Sequence, residues 1–519
     1  MSNEITQSKI TKTAGLMTVV SVCSLAVSFV MESVFAYFFG ASLTTDAYTV
    51  ATQIPITLFA LISTAVKTLV IPCYSKEYYS NGPKAAERYA SNLTTVIVSI
   101  SFVFVLLCEI FAKPIVILFA PGMDVATQSL AVQIFRLCVP TVLVTEVMHI
   151  NTGILNVHKK FILPSLASNI LNAAFITSIV LLAGKFGIFA AVIGTIIGTT
   201  LEFTYSLLLR RRVMKYHFIM DLKDKSMVKS LNMALPVFIG IGAAEINKVV
   251  DRMVSSFLSE GSISTLNYAS KLSGAVSTLI ITGLTTVIYP EFSKHSANDD
   301  DKGMADVFLF ALNLLMLLII PIVFGGTILC KEIIKIVFCR GAFSLETVDR
   351  TAPLFACYLV CLLFTAFRQI CSRVFYSNGD SKTPMRNSLI GIGLNIVLNV
   401  ILGYYWGSFG LVLATTISTA VISILLLINV KKRNAHISYR RTRKLFLKAM
   451  LASLFMIGLI YLGRKLLVFY GIYDYQSLVA NIVFTAGSVL GGALCYFGVL
   501  LLLQTEELKS ALDFLKRRK

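Results

Sequence analysis

Apolar residues along this 519-residue chain recur in blocks of roughly 20, from Ala14 to Leu503, with short polar breaks between them. An α-helix rising 1.5 Å per residue needs about 20 residues to cross ~30 Å of hydrocarbon. The pattern predicts fourteen spans, at about 14–39, 46–72, 90–112, 127–155, 163–183, 186–209, 230–257, 265–290, 305–328, 347–376, 384–404, 406–430, 446–463 and 477–503. No polar interval exceeds about 25 residues, which leaves no room for a separate nucleotide-binding or catalytic domain. The expected fold class is therefore an all-α polytopic membrane protein, and an ATP-driven pump on one chain is excluded.

Composition agrees: 56% of residues are hydrophobic, 14% are charged, and mean hydropathy is +0.79. The net charge of +19 would suggest a nucleic-acid partner in a soluble protein. Here the cations gather in alternate connections, above all Arg210, Arg211 and Arg212, and Lys431, Lys432, Arg433, Arg440, Arg441, Arg443 and Lys444. Lysine and arginine accumulate in cytoplasmic loops, so both termini are expected in the cytoplasm and nucleic acid is not expected as a partner. The basic end, Lys516 to Lys519, suits anionic membrane lipids. The ten cysteines lie mostly within apolar blocks and show no metal-ligand or redox spacing, so they read as small hydrophobes. The first apolar block runs far past a signal-peptide core, so cleavage is not expected. With no metal cluster, cofactor motif or nucleophile motif, the chain does not read as an enzyme.

Self-comparison reveals an internal repeat. Thr64–Lys76 (TAVKTLVIPCYSK) resembles Thr282–Lys294 (TGLTTVIYPEFSK), 218 residues on. The segment entered at Pro164 matches that entered at Pro384, and Lys185-Phe186-Gly187 matches Ser408-Phe409-Gly410. Six spans per copy is an even number, so the copies share an orientation and are expected to be related by an axis along the membrane normal. The expected organisation is an N-lobe over 1–212, a C-lobe over 213–433, and a C-terminal helix pair with a basic tail over 434–519. Paired lobes of this kind are transporter architecture.

Charges within spans are costly in lipid, so they are expected to face protein or a water-filled cavity. In the first span Ser21, Ser24, Ser28 and Glu32 share one face, and Glu32 is expected to face a cavity. The seventh span carries Glu245, Lys248 and Arg252 at similar spacing, with Asp251 beside them; the eighth adds Lys271 and the second Lys67. A Glu245–Lys248 ion pair that merely fixes helix register is the competing reading of that patch. Together the four cations suit an anionic, phosphate-bearing substrate. Arg136, Glu146, His149, Glu202, Arg368, Asn395 and Asn399 read as structural polar residues, with a proton relay the alternative reading of His149.

Five landmarks then carry a family resemblance: FFGASLTTDAYTVATQIP from Phe38, GILNVHKKFILPSLASNILN from Gly153, VDRMVSSFLSEGSISTLNYASKL from Val250, VFCRGAFSLETVDRTA from Val337 and YSNGDSKTPMRNSL from Tyr376. In this order they resemble the MurJ-type lipid II flippases of the multidrug/oligosaccharidyl-lipid/polysaccharide exporter superfamily, over about the first 430 residues. The resemblance implies fourteen helices in two six-helix lobes plus a C-terminal pair, and a cationic cavity that carries a polyprenyl-pyrophosphate-linked glycan to the outer leaflet. It places Asp46 on the family aspartate after the Phe-Gly turn and Glu32 on the acid of an Arg-acid pair. The family's cavity arginines fall on Met31, Leu25 and Phe59, with Lys271 in place of the eighth-span arginine. The implied substrate-binding set is Lys271, Arg252, Lys248, Lys67, Asp46 and Glu32, with Glu32, Asp46 and Glu245 as ion-coupling candidates. Lipid II is the expected cargo and cell-wall synthesis proteins are expected partners. The alternatives are a flippase for an exopolysaccharide- or capsule-type lipid-linked oligosaccharide, a cation-coupled multidrug exporter and a non-transporting cell-wall scaffold.

Overall fold

The computed structural model describes residues 2–224, 227, 228, 242, 245–471, 473–475 and 477–505, with the side chains of 2–18, 282, 286 and 287 left aside. These residues form helices and no strand. This is the solution lipid imposes, because a helix satisfies its backbone polar groups internally where no water can. The chain divides into two compact units, Met1–Ser264 and Thr265–Lys519.

The first unit contains α1 (Ser2–Phe39), α2 (Leu43–Asn81), α3 (Pro83–Ile110), α4 (Ala112–Phe119), α5 (Val125–Cys138), α6 (Thr141–Val157), α7 (Ile162–Phe186) and α8 (Phe189–Arg211), followed by a helical stretch over 245–255. Side-chain caps mark several starts: Ser42 accepts from the Thr45 N–H, and Asp124 from the N–H groups of Ala126 and Thr127. The α7–α8 hairpin carries α1, while α2 packs against α5 and α6. Residues 213–224 are not helical, and α3 satisfies their backbone. Asn92 donates to the Asp221 carbonyl (2.7 Å) and accepts from its N–H (2.8 Å), while Ser91 accepts from the His217 N–H (3.2 Å).

The second unit contains α9 (Ser262–Ala297, beginning just before the boundary and carrying one wide turn over Thr278–Thr282), α10 (Asp301–Ile328), α11 (Cys330–Phe338), α12 (Leu345–Ser377), α13 (Lys382–Arg433), α14 (Arg440–Phe469) and α15 (Leu478–Leu502). The last two helices pack on α10 through Met316, Leu317, Ile320, Ala449, Met456 and Tyr496, whose hydroxyl donates to the Leu317 carbonyl (3.2 Å).

Eleven described helices are long and apolar enough to span a membrane, or twelve counting the bent α5–α6 pair. Fourteen were expected from the sequence, and two particulars account for the difference. Much of the seventh span, 230–257, lies outside the described residues. The eleventh and twelfth run as one 52-residue element, α13, broken at Gly407. Its two arms, 382–406 and 408–433, are each ~38 Å of helix at 1.5 Å per residue, enough for one crossing apiece.

The repeat is visible in the backbone. Gly187, between α7 and α8, has φ 53° and ψ −134°; Gly407, 220 residues on, has φ 55° and ψ −135°. The left-handed residues closing α6 and α12, Lys159 (φ 59°) and Gly379 (φ 71°), are also 220 apart. Gly187 thus corresponds to Gly407, three residues before the Gly410 that residue matching selects.

Nothing lies within 4 Å of a Cβ built at Gly187 or Gly407, so the backbone angles alone require glycine. Gly407→Ala is expected to destabilise the protein by about 1–3 kcal/mol. Gly458→Ala, also in open space but within α14, is expected to be neutral or mildly stabilising. Thermal unfolding of the purified variants in detergent checks this, and equal midpoints would remove the claim.

Candidate functional site

The polar stripe of α1 is used partly for packing. Ser28 donates to the Ser24 carbonyl (3.0 Å) and accepts from Asn172 of α7 (2.9 Å), and Glu32 is buried. Asp46 lies one turn into α2. Its carboxylate accepts from the N–H groups of Gly261 (2.9 Å) and Ser264 (2.7 Å) and from the Ser264 hydroxyl, while Glu260 accepts from the Leu43 N–H (3.3 Å). An anionic acceptor for the first N–H groups of a helix is favourable, so Asp46 anchors the start of α9 to the start of α2. Asp46 and Ser264 are 218 residues apart, the offset of the repeat itself.

In the stretch over 245–255, Lys248 Nζ lies 2.7 Å from Glu245 Oε1, so the ion pair anticipated as the competing reading is formed. The Lys248 side chain is nevertheless 58% exposed, against 13% for Glu245, so the pair is not a fully buried one. Arg252 is half-exposed, and Asn247 donates to Asp251 (3.4 Å). Lys67 is exposed on α2 of the first unit and Lys271 on α9 of the second. The structure therefore brings Glu245 to Lys248 and Asp46 to Gly261 and Ser264.

Three arrangements escaped the sequence reading. In the first unit α2 and α6 run parallel, with Ser63 against Glu146, Val70 against Gly153 and Tyr74 against His158. Gly153 is required here because a Cβ would lie 2.5 Å from Val70. At one end of the second unit, Glu332 and Lys335 of α11 are both nearly fully buried. Arg464 of α14 pairs with Glu332 (3.0 Å), and Lys335 donates to the Tyr475 carbonyl and lies over its ring (4.1 Å). The i, i+3 spacing of Glu332 and Lys335 was available in the sequence, but their partner more than 100 residues away was not. At the opposite end Arg440, Arg441, Lys444 and Lys448 line a basic cavity of about 620 Å³. Beside it, an apolar groove of about 670 Å³ lies between α10, α13 and α14, with Lys431, Lys432 and Arg443 at its rim.

The family pattern "MurJ: Lipid II flippase MurJ" matches residues 35–484. The chain belongs to the MurJ family. Similar members include a "Probable lipid II flippase MurJ" of Borreliella burgdorferi, 28% identical over 84% of this chain and 86% of that protein. The "Lipid II flippase MurJ" of Burkholderia cenocepacia is 26% identical over 83% and 85%. Among solved structures, "Lipid II flippase MurJ, inward closed conformation" is similar with a TM-score of 0.79 and 27% identity, covering 94% of this chain and 99% of that one. An inward-facing multidrug resistance MATE family transporter of the MOP superfamily has a TM-score of 0.64 at 13% identity, a likeness of fold alone. The MurJ match ends at residue 484, so it takes in α14 and the first turns of α15.

Asp46→Ala leaves three donors without their acceptor, whereas Asp46→Asn keeps one oxygen. The expected stability order is wild type, then Asn, then Ala, with a cost of about 1.5–3 kcal/mol for the first step. Thermal unfolding measures it, and an Ala variant as stable as wild type would refute the anchoring role.

Proposed function

We propose that this MurJ family protein is a lipid II flippase, moving the polyprenyl-pyrophosphate-linked precursor from the cytoplasmic to the outer leaflet by alternating access. The observation that carries this reading is the match over residues 35–484 together with 27% identity to a lipid II flippase of the same fold across 94% of the chain. Another lipid-linked glycan, multidrug export and a scaffold role are not favoured by these relatives. The protein acts as a transporter rather than an enzyme, in the bacterial inner membrane with both termini cytoplasmic, as the basic connections at 210–212 and 431–444 favour.

The diphosphate is bound by Lys67, Lys248, Arg252 and Lys271, which offer charge-assisted hydrogen bonds in place of the arginines absent at positions 25, 31 and 59. Glu32, Asp46 and Glu245 are the acids proposed for ion coupling, with Asp46 bound to Gly261 and Ser264 and Glu245 paired with Lys248 in this conformation. The domain organisation that fits is two six-span lobes, 1–212 and 213–433, with an appended helix pair over 434–519. Anionic phospholipids occupy the basic cavity at Arg440, Arg441, Lys444 and Lys448, and cell-wall synthesis proteins are the expected protein partners, testable by crosslinking in cells.

Purified protein in vesicles, assayed for lipid II reaching the outer face, tests the cation assignment. Arg252→Gln with Lys271→Gln is expected to slow flipping at least tenfold, since each lost charge-assisted bond costs about 1.5–3 kcal/mol; unchanged flipping at equal protein would reject it. Replacing acidic by zwitterionic phospholipid is expected to lower wild-type activity and leave an Arg440→Gln, Arg441→Gln, Lys444→Gln variant unmoved. Equal responses would remove the lipid site.

A further inference from the structure

The transport residues above make no use of Glu146 and His149. Glu146 is completely buried, and its partner Ser63 is near the midpoint of the 39-residue α2, so the carboxyl lies deep within the span. Ser63 donates to Oε1. Oε2 has no hydrogen-bond partner, and neither has His149 Nδ1, which faces it at 3.7 Å. That separation is too long for a hydrogen bond, yet a small shift closes it.

Counting protons shows what such a pair does. With one proton between them the pair is neutral, whichever group carries it. Removing that proton leaves a carboxylate in apolar surroundings, and adding a second leaves an imidazolium, both unfavourable there. The neighbours offer little compensation. From α2 the facing groups are Ser63 and, a turn along, the exposed Lys67. From α8, Arg210 is engaged with Asn151 (3.1 Å), and Glu202, a turn from Ser206 on the facing side, is half-buried and acidic. No acidic or basic side chain lies between Arg88 and Glu109 on α3. The pair is also placed to sense movement, because α6 leaves α5 through a 43° bend at Val139-Pro140, less than two turns before Glu146.

We propose that Glu146 and His149, backed by Ser63, form a proton-binding site that ties movement of α6 against α2 to proton uptake and release. With the helices closed, the pair holds one proton. When α6 draws away and water enters, that proton passes to water, and closure takes one back. The coupling to transport rests on the flippase reading, whereas the protonation site does not.

Two measurements separate these claims. The first is labelling of the full-length protein in vesicles with dicyclohexylcarbodiimide, which attacks protonated carboxyl groups in apolar surroundings, followed by peptide mass spectrometry. Labelling of Glu146 is expected to be stronger at the acidic end of a pH series than at its alkaline end, and to persist to higher pH in His149→Gln, where the imidazole partner is gone. Label independent of pH, or a His149→Gln variant in which Glu146 takes no label at any pH or keeps the wild-type profile, would overturn the site. The second is lipid II flipping against pH. Wild type is expected to vary several-fold between about pH 6 and about pH 8 and Glu146→Gln to be flat. Identical profiles would overturn the coupling. A titrating label in a protein that flips nothing would leave the site standing and end the flippase reading. Should Glu146→Gln fail to fold, the wild-type and His149→Gln labelling profiles still decide.

Discussion

The structure depends on a refusal by its solvent: hydrocarbon offers no partner to a backbone amide or to a charge. Every departure from helix must be provided for by the protein, and the provisions can be named. The breaks at Gly187 and Gly407 use backbone angles that no other residue adopts cheaply. Where a charge is buried, as at Glu332, a partner is brought from a distant helix. At Glu146 the unpartnered oxygen instead faces an unpartnered imidazole nitrogen of His149, 3.7 Å away.

The same constraint explains why the repeat survives in geometry after fading in sequence. Phe186 and Trp406 precede the two broken glycines and share little beyond bulk, yet φ and ψ agree within a few degrees. A helix pair that must turn between two crossings has few ways to do so, and both copies kept the same one. The knot at Asp46 belongs to this logic too, since an acid of the first copy binds the residue 218 positions on. Within the first unit Asp46 ties the residues around Gly261 to the start of α2.

Much of this was legible in the sequence because it is written in composition and period. Block length gave the spans, a shared residue pattern gave the duplication, and landmarks such as VDRMVSSFLSEG gave the family. Legibility ended where partners are remote in the chain. Nothing near Glu146 announces Ser63, and nothing near Lys335 announces Tyr475. Residue matching chose Gly410 over Gly407 because Phe-Gly is a stronger letter match than Trp-Gly, whereas the turn depends on angles that letters do not record. A stripe at helical spacing, as in the first span, serves a neighbouring helix as readily as a cavity, and Asn172 donates to Ser28. The seventh span, with Pro236 in its first half, lies largely outside the described residues.

Membership of the MurJ family and an altered set of cavity cations meet in one question: whether this chain still carries lipid II. Expression in cells depleted of their own lipid II flippase answers it most directly, with growth and the exposure of lipid II on the outer face of the membrane as readouts. The account predicts that growth is restored and lipid II becomes accessible outside. Lysis with the precursor retained inside, while the protein is present in the membrane at normal level, would contradict it.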